Sequence, residues 1–196
     1  MRIPSLPTSV IIIALAIPQA SEAQSAQPDA NTIALGADVG FLAPDNGTGS
    51  SPLPPLLAAT GSAGAFVEYY YTDRASLRAM YGWASAAFEA MPDRSLRRQH
   101  LNVNFVYNWE LGRFRPFATI GGGTYFLDRR EDGEQVGRSI AKPGGSLGWG
   151  GEYYLRTFAV RSEMNVHILG DEKDFPELAG NTLTAFTWMF GIKVPF

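Results

Sequence analysis

The sequence predicts an all-β protein, an eight-stranded antiparallel up-and-down transmembrane β-barrel, on three observations. From Ile33 onward apolar residues recur at every second position, which is the period of a β-strand. The connections between these segments are short and long in turn, as in a meander whose hairpin turns lie at one end. One face of nearly every segment is apolar and the other is polar or charged, which suits a wall between lipid and a narrow lumen.

The N-terminal residues 1–23 have the pattern of a secretory signal peptide. Arg2 precedes an apolar run that is densest over residues 10–17, and small residues follow as far as Ala23. The run is too short for a membrane-spanning helix, which needs about 20 residues. We expect cleavage after Ala23, which leaves a short segment, 24–31, ahead of a barrel domain at residues 32–196.

Eight strands follow from the alternation and from the turn signals between the segments. We place them at residues 32–42, 62–72, 74–85, 98–110, 113–127, 140–155, 157–168 and 182–196. Short turns are predicted after the second, fourth and sixth strands, around Asp73, at 111–112 and at 156–157. The other connections are longer and rich in Gly, Pro and Asp.

The alternation is clearest in the fourth, seventh and eighth segments. The fourth carries on its apolar face Leu101, Val103, Phe105, Tyr107 and Trp109. The seventh carries Phe158, Val160, Met164, Val166 and Ile168. The eighth carries Thr184, Phe186, Trp188, Phe190, Ile192, Val194 and Phe196. Because successive side chains of a strand point to opposite sides, each segment has one apolar and one polar face.

The distribution of charge distinguishes a transmembrane barrel from a soluble one. A lipocalin-like soluble barrel encloses its apolar side chains, but here the second face carries Asp38, Glu68, Arg78, Arg115, Glu152, Arg161, Glu163 and Lys193. Placing these charges in the lumen is consistent on nearly every strand, whereas the reverse would expose rows of aromatic residues to water. The fifth strand fits least well, because Phe117 and Tyr125 then point inward.

The turn lengths set the register of four of these charges. A two-residue turn at 156–157 and a three-residue turn around Asp73 place two acids opposite two bases, with Cβ atoms about 5 Å apart. The pairs are Glu68 with Arg78 and Glu152 with Arg161. Asp38, Arg115, Glu163 and Lys193 complete a balanced set of four acids and four bases. We therefore predict a lumen plugged by ion pairs.

Composition and the positions of the histidines restrict the chemistry. The chain has 196 residues, no cysteine and a net charge of −3, which argues against a disulfide scaffold, a thiolate metal site or a nucleic-acid partner. His100 and His167 both face the lumen by parity, so neither accompanies Ser162 on the outer face. We predict no catalytic residues, no cofactor and no metal site; a metal would need further ligands such as Asp171 or Glu172.

The C-terminal sequence and two internal segments resemble a known family. The chain ends in WMFGIKVPF, with apolar residues at alternate positions before Phe196, like the assembly signal of bacterial outer-membrane proteins. Residues 64–71 (GAFVEYYY) and 101–108 (LNVNFVYN) are similar to porin-like barrel domains. Residues 32–196 thus resemble the small eight-stranded outer-membrane β-barrel superfamily that includes the OmpA transmembrane domain and OmpX-like proteins.

The resemblance implies an exported bacterial outer-membrane protein. Its expected partners are outer-membrane lipid, lipopolysaccharide and the barrel-assembly machinery, and we expect a monomer. The expected role is structural or surface-interacting (adhesion-like), and a narrow passive porin-like channel and a lipid-modifying outer-membrane enzyme remain alternatives. A surface partner would contact the long loops. The first loop consists mostly of small residues and prolines, among which Leu56 and Leu57 are apolar, and residues 170–177 of the last loop are acidic.

Overall fold

The computed structural model describes residues 27–44, 59–88, 91–169 and 184–196. These residues form the strands β1 (Ile33–Pro44), β2 (Thr60–Tyr70), β3 (Ala75–Phe88), β4 (Met91–Asn108), β5 (Phe114–Glu131), β6 (Glu134–Gln135), β7 (Ile140–Tyr154), β8 (Ala159–Leu169) and β9 (Thr184–Pro195). The predicted signal peptide, Leu56, Leu57, Asp171 and Glu172 lie outside the described residues.

The eight long strands close into an antiparallel barrel. Around the wall they follow the order β4-β3-β2-β1-β9-β8-β7-β5, and β5 pairs in turn with β4, so the ring has no open edge. Each long strand pairs with its neighbours in sequence, and β1 pairs with β9, so the topology is up-and-down. The two-residue strand β6 pairs with the end of β5 outside this cylinder. The predicted fold class is therefore confirmed. Among the described residues, no helix is long and apolar enough to cross a membrane.

The short turns give the predicted registers. Across the turn around Asp73, Glu68 faces Arg78, and across the turn at 156–157, Glu152 faces Arg161. At the third short turn Gly112 has φ of 64°, in the left-handed region that favours glycine. These three turns therefore fix which side chains enter the lumen.

The long connection predicted after the third strand is wrong. β3 runs to Phe88 and β4 begins at Met91, so only residues 89–90 separate them. Strands β3, β4 and β5 pair with one another beyond the last residues that pair with β2 and β7. This part of the sheet consists of residues 85–88, 91–97 and 128–131. We call this three-stranded region the β3–β5 extension. Its sequence is rich in arginine and aspartate, and for that reason it resembles a loop.

The two faces of the wall differ as the alternation predicts. Large apolar side chains are exposed on the outer face of every long strand, among them Val39, Val67, Leu77, Leu101, Ile120, Leu147, Val160 and Ile192. The inner face carries the buried polar and charged side chains. A polypeptide in water rarely exposes so much contiguous apolar surface.

The segment before β1 lies across the short-turn end of the barrel. Gln27 donates a side-chain hydrogen bond to the carbonyl of Gly112, and Arg115 Nη1 lies 3.5 Å from the carbonyl oxygen of Pro28. The backbone amide of Asn31 donates to the carbonyl of Tyr70 at 2.6 Å. Residues 27–31 are thereby fixed to two of the three short turns and to the inner face.

Candidate functional site: the barrel lumen

Side chains fill the lumen, as expected where eight strands leave an interior only wide enough for side chains. Glycines on the inner face make room for the larger ones. At Gly36, for example, an added Cβ would lie 2.1 Å from Cζ of the inward-facing Phe66. Phe117 and Tyr125, the two residues that fitted the pattern least well, are 1% and 0% exposed and pack inside. The lumen therefore combines aromatic rings with charges.

Arg78 lies at the centre of the ionic contacts. Its Nε and Nη2 atoms each lie 3.0 Å from Glu68 Oε2, across the predicted pair of strands. Its Nη1 donates to Glu163 Oε2 at 2.9 Å, and Nη2 lies 3.7 Å from Glu152 Oε1. Because Glu163 belongs to β8, this arginine connects opposite walls of the barrel. All four side chains are essentially excluded from solvent.

Arg161 contacts two further carboxylates besides the one expected. It faces Glu152 in register, but Nε lies 3.8 Å from Glu152 Oε1. Nη1 donates to Asp38 Oδ2 at 3.0 Å, and Nη2 contacts Glu163. The Phe66 ring centroid lies 4.3 Å from the guanidinium carbon, in a cation–π contact. Arg161 thus joins β8 to β1.

Lys193 completes the network on β9. Its Nζ contacts Glu152 and the hydroxyl of Tyr70, and it lies 3.6 Å from Glu68 Oε2. Tyr154 donates to Glu152 Oε2 at 2.7 Å. We call the resulting group the central cluster: Asp38, Glu68, Arg78, Glu152, Arg161, Glu163 and Lys193. Six strands contribute to it, so its contacts connect opposite sides of the barrel.

The expected balance of four acids and four bases in the lumen differs from the structure in two respects. Arg115 faces inward but contacts Glu110 at 2.9 Å and the carbonyl of Asp73 at 2.8 Å, at the short-turn end. The central cluster therefore has four acids and three bases. Arg98 and Lys142 also face inward and are buried, although the predicted set does not include them; parity within the predicted strands at 98–110 and 140–155 puts both on the inner face.

A second polar layer lies toward the long-loop end. Asn102 donates to Tyr125 Oη at 2.8 Å, and that hydroxyl lies 3.0 Å from His167 Nδ1. His167 Nε2 in turn lies 3.1 Å from Thr187 Oγ1. The rings of His100 and His167 are 5.1 Å apart. Both histidines are buried in the lumen, as parity predicts.

An apolar group packs next to this layer. Its buried members are Ala86, Leu96, Tyr125, Leu127 and Leu169, with Ile140 packed against them. The guanidinium of Arg98 lies 4.8 Å from the centroid of the Tyr125 ring. Within the described part of the lumen, the ionic central cluster is therefore followed, toward the long-loop end, by the polar layer around Tyr125 and His167 and then by the apolar group.

The predicted assembly-signal residue lies apart from the lumen. Phe196 is exposed at the short-turn end, and its backbone amide donates to the carbonyl of Ile33 at 2.8 Å. On the outer face, Ser162 Oγ accepts a hydrogen bond from Trp188 Nε1 at 2.9 Å. Within the described ranges, no three His, Asp or Glu side chains are grouped to hold a metal ion.

Comparison with solved structures finds the same fold in small bacterial outer-membrane barrels. Neisserial surface protein A is 11% identical, with a TM-score of 0.64 over 84% of this chain and 97% of that chain. The N-terminal barrel domain of Pseudomonas aeruginosa OprF is 15% identical, with a TM-score of 0.56 over 86% of this chain and 100% of that chain. Ail, the attachment invasion locus protein of Yersinia pestis, is 13% identical, with a TM-score of 0.53 over 86% and 100%. At these identities the likeness establishes a shared fold.

No protein-family model matches the chain, and comparison with curated proteins finds no match.

Proposed function

We propose that this chain is a monomeric outer-membrane barrel with a plugged lumen and a structural or surface-interaction role. The filled interior is the observation that carries the proposal. Inward-facing charges are buried while rows of aliphatic and aromatic side chains are exposed outside. This distribution is stable where lipid covers the wall, and a closed barrel leaves no strand edge unpaired in that lipid.

The grouping of three short turns at one end of the barrel supports one orientation in the membrane. Small outer-membrane barrels have short turns on the periplasmic side and longer loops on the outside of the cell. In this orientation Phe196 and the segment 27–31 face the periplasm, and the β3–β5 extension faces the exterior. The C-terminal Phe196 is then the residue we propose for recognition by the barrel-assembly machinery.

The layers of the lumen argue against passage of solutes. The central cluster connects opposite walls through Arg78 and Glu163, and the aliphatic group that includes Leu127 and Leu169 packs farther toward the exterior. An ion entering this space would have to displace several charge-assisted hydrogen bonds. We therefore favour a plugged barrel over the narrow channel considered as an alternative.

The positions of the nucleophiles and bases support a non-catalytic role. His100 and His167 are buried in the lumen, while Ser162 on the outer wall bonds to Trp188. A hydrolase acting on membrane lipid needs its nucleophile and base together on a lipid-accessible surface. We thus propose that the protein interacts through its outer wall and its loops, with Leu56 and Leu57 as contacts for a surface partner.

Two measurements test this proposal. The protein should be recovered in the outer-membrane fraction and should migrate differently on a gel before and after boiling, because a closed barrel resists unfolding in detergent. In planar bilayers the purified monomer should give negligible steady conductance. Recovery in the soluble periplasmic fraction with no gel shift would refute the membrane location, and large, stable channels would refute the plugged lumen.

A matched pair of variants sharpens the conductance measurement. Arg78→Ser combined with Glu163→Ser removes two side chains that meet across the lumen and leaves the remaining charges three acids to two bases. Arg113→Ser, at an exposed position in the short-turn end, is the control. Any conductance that appears should appear in the double variant and not in the control. Equal and clearly measurable conductance in the wild type and both variants would show that ions bypass the central cluster.

A further inference from the structure

A furrow on the outer wall follows strand β2 near the long-loop end. Three small residues, Gly61, Ala63 and Ala65, occupy successive outward positions of this strand. They pair with Phe41, Val39 and Ala37 of β1, and on the other side Ala63 and Ala65 pair with Trp83 and Tyr81 of β3. A Cβ added at Gly61 would have no atom within 4 Å. Phe41 and Val39 thus stand on one side of a floor of small residues and Trp83 and Tyr81 on the other, while Ala37 leaves the lower end open on the β1 side.

The upper part of this furrow is a distinct groove of about 550 Å³. Its walls include Phe41, Val39 and Phe190 on one side and Trp83 on the other. Phe41 and Val39 are 63% and 66% exposed, because the neighbouring floor gives them nothing to pack against. The three small residues extend over about 13 Å, given a rise of about 3.3 Å per residue.

A cation lies beside the upper end of the furrow. Arg97 is the cross-strand partner of Ser85, which lines the groove, and its guanidinium carbon lies 5.8 Å from the centroid of the Trp83 ring. Its Nε is buried and has no hydrogen-bond partner among the described residues. Asp128, opposite Arg97 in β5, is the nearest carboxylate in register. A guanidinium beside the end of an apolar furrow matches a phosphate joined to a hydrocarbon chain.

We propose that this furrow binds one phosphorylated, acylated glycolipid of the lipid A type, with an acyl chain along β2 and a phosphate on Arg97. The furrow lies toward the long-loop end, and so in the leaflet that faces the cell exterior under the proposed orientation. The inference rests on the proposed membrane location and adds a defined lipid site to it. Because Trp83 holds the guanidinium, the phosphate meets a positioned cation rather than a freely moving one.

Native mass spectrometry of the purified full barrel tests the site with hexa-acylated, bis-phosphorylated lipid A as the probe. We expect one retained lipid per barrel. Arg97→Gln should weaken retention about tenfold, which is the size of one charge-assisted hydrogen bond. Asp128→Asn should strengthen retention, because it removes the negative charge opposite Arg97 in the register, which would repel a bound phosphate. Ala63→Phe should abolish retention by filling the furrow.

Two control variants separate the site from general effects on the barrel. Ala118 is a small outward residue between Tyr107 and Trp149 near the short-turn end, so Ala118→Phe makes the same change on a different part of the wall. Arg113→Gln removes an exposed arginine at that same end. Both controls should retain lipid A as the wild type does. Loss of retention in the controls equal to that in Arg97→Gln and Ala63→Phe would overturn the proposal.

The choice of lipid separates the sources of the phosphate. Phosphatidylglycerol, and lipid A with its phosphates removed, should each be retained several-fold less than the intact probe. Equal retention of phosphatidylglycerol would overturn the assignment to a glycolipid. Each variant is first tested for its gel shift on boiling. A wild type with no shift contradicts the membrane location itself, whereas shifted variants that all retain the probe equally contradict the furrow alone.

Discussion

Arg161 on β8 donates a hydrogen bond to Asp38 on β1 at 3.0 Å, although β9 lies between these two strands. The residue of β9 that pairs with both is Gly191. A Cβ at this glycine would lie 2.0 Å from Asp38 Oδ1 and 2.2 Å from the carbonyl oxygen of Ala37. The ion pair therefore occupies the space next to Gly191 that a side chain would fill at any other residue.

Gly191→Ala should lower the free energy of unfolding by about 1–3 kcal/mol, the usual cost of forcing a methyl group into a packed site. Gly61→Ala is the control, because its added Cβ has open space outside the barrel. Urea unfolding in detergent micelles, followed by tryptophan fluorescence, measures both. Equal stability of the two variants would show that Asp38 adjusts without loss of its bond to Arg161.

Arg161→Gln should destabilise the barrel by about 3–5 kcal/mol, because it leaves Asp38 and Glu163 without a common cation in a poorly hydrated space. Adding Asp38→Asn should recover part of this loss, since one uncompensated charge is removed. The temperature at which the gel shift disappears gives the order of stability. A double variant less stable than the single one would indicate a hydrated lumen in which each charge contributes separately.

Tyr125→Phe should cost about 1–2 kcal/mol, because Asn102 and His167 both lose a buried hydrogen-bond partner. Tyr153→Phe removes a hydroxyl from an exposed residue on the outer wall and should be nearly neutral. Urea unfolding compares the two variants. An equal decrease in the free energy of unfolding in both variants would show that the hydrogen bonds of Tyr125 in the polar layer around His167 are not its cause.

Deletion of Phe196 should reduce the amount of protein in the outer membrane while export across the inner membrane continues. The amide of Phe196 makes one backbone hydrogen bond, to Ile33, so the folded barrel should lose little stability. Fractionation of cells measures the amount, and refolding into detergent measures the stability. Unchanged outer-membrane levels would count against a role for Phe196 in assembly.

The sequence predicted the wall better than the lumen because side-chain parity is a local property and ion pairing is not. Alternation and turn length were enough to place Glu68 opposite Arg78 and Glu152 opposite Arg161. The bond between Arg161 and Asp38 depends on which strands meet around a closed cylinder and on a glycine between them. No local pattern contains that information.

Charge also concealed part of the fold. The segment around Arg94, Arg97 and Arg98 has the composition of a loop, yet it pairs with β3 and β5 as the β3–β5 extension. Arg94 there lies 2.9 Å from Glu131 on the adjacent strand, an exposed ion pair that strand pairing creates. Arg98 and Lys142 lie within the predicted strands at 98–110 and 140–155, where parity alone would have been enough to place both on the inner face.

The contact between Asp38 and Arg161 crosses the seam where the first and last strands meet. In an open sheet these two residues lie on different sides of the gap, and water solvates both until β1 docks on β9. We therefore expect the contact between Asp38 and Arg161 to lose its water when the β1–β9 ladder forms. A partly assembled barrel, in which β1 does not yet pair with β9, gains little from the bond between Asp38 and Arg161. We expect this bond to stabilise the protein only once the cylinder has closed.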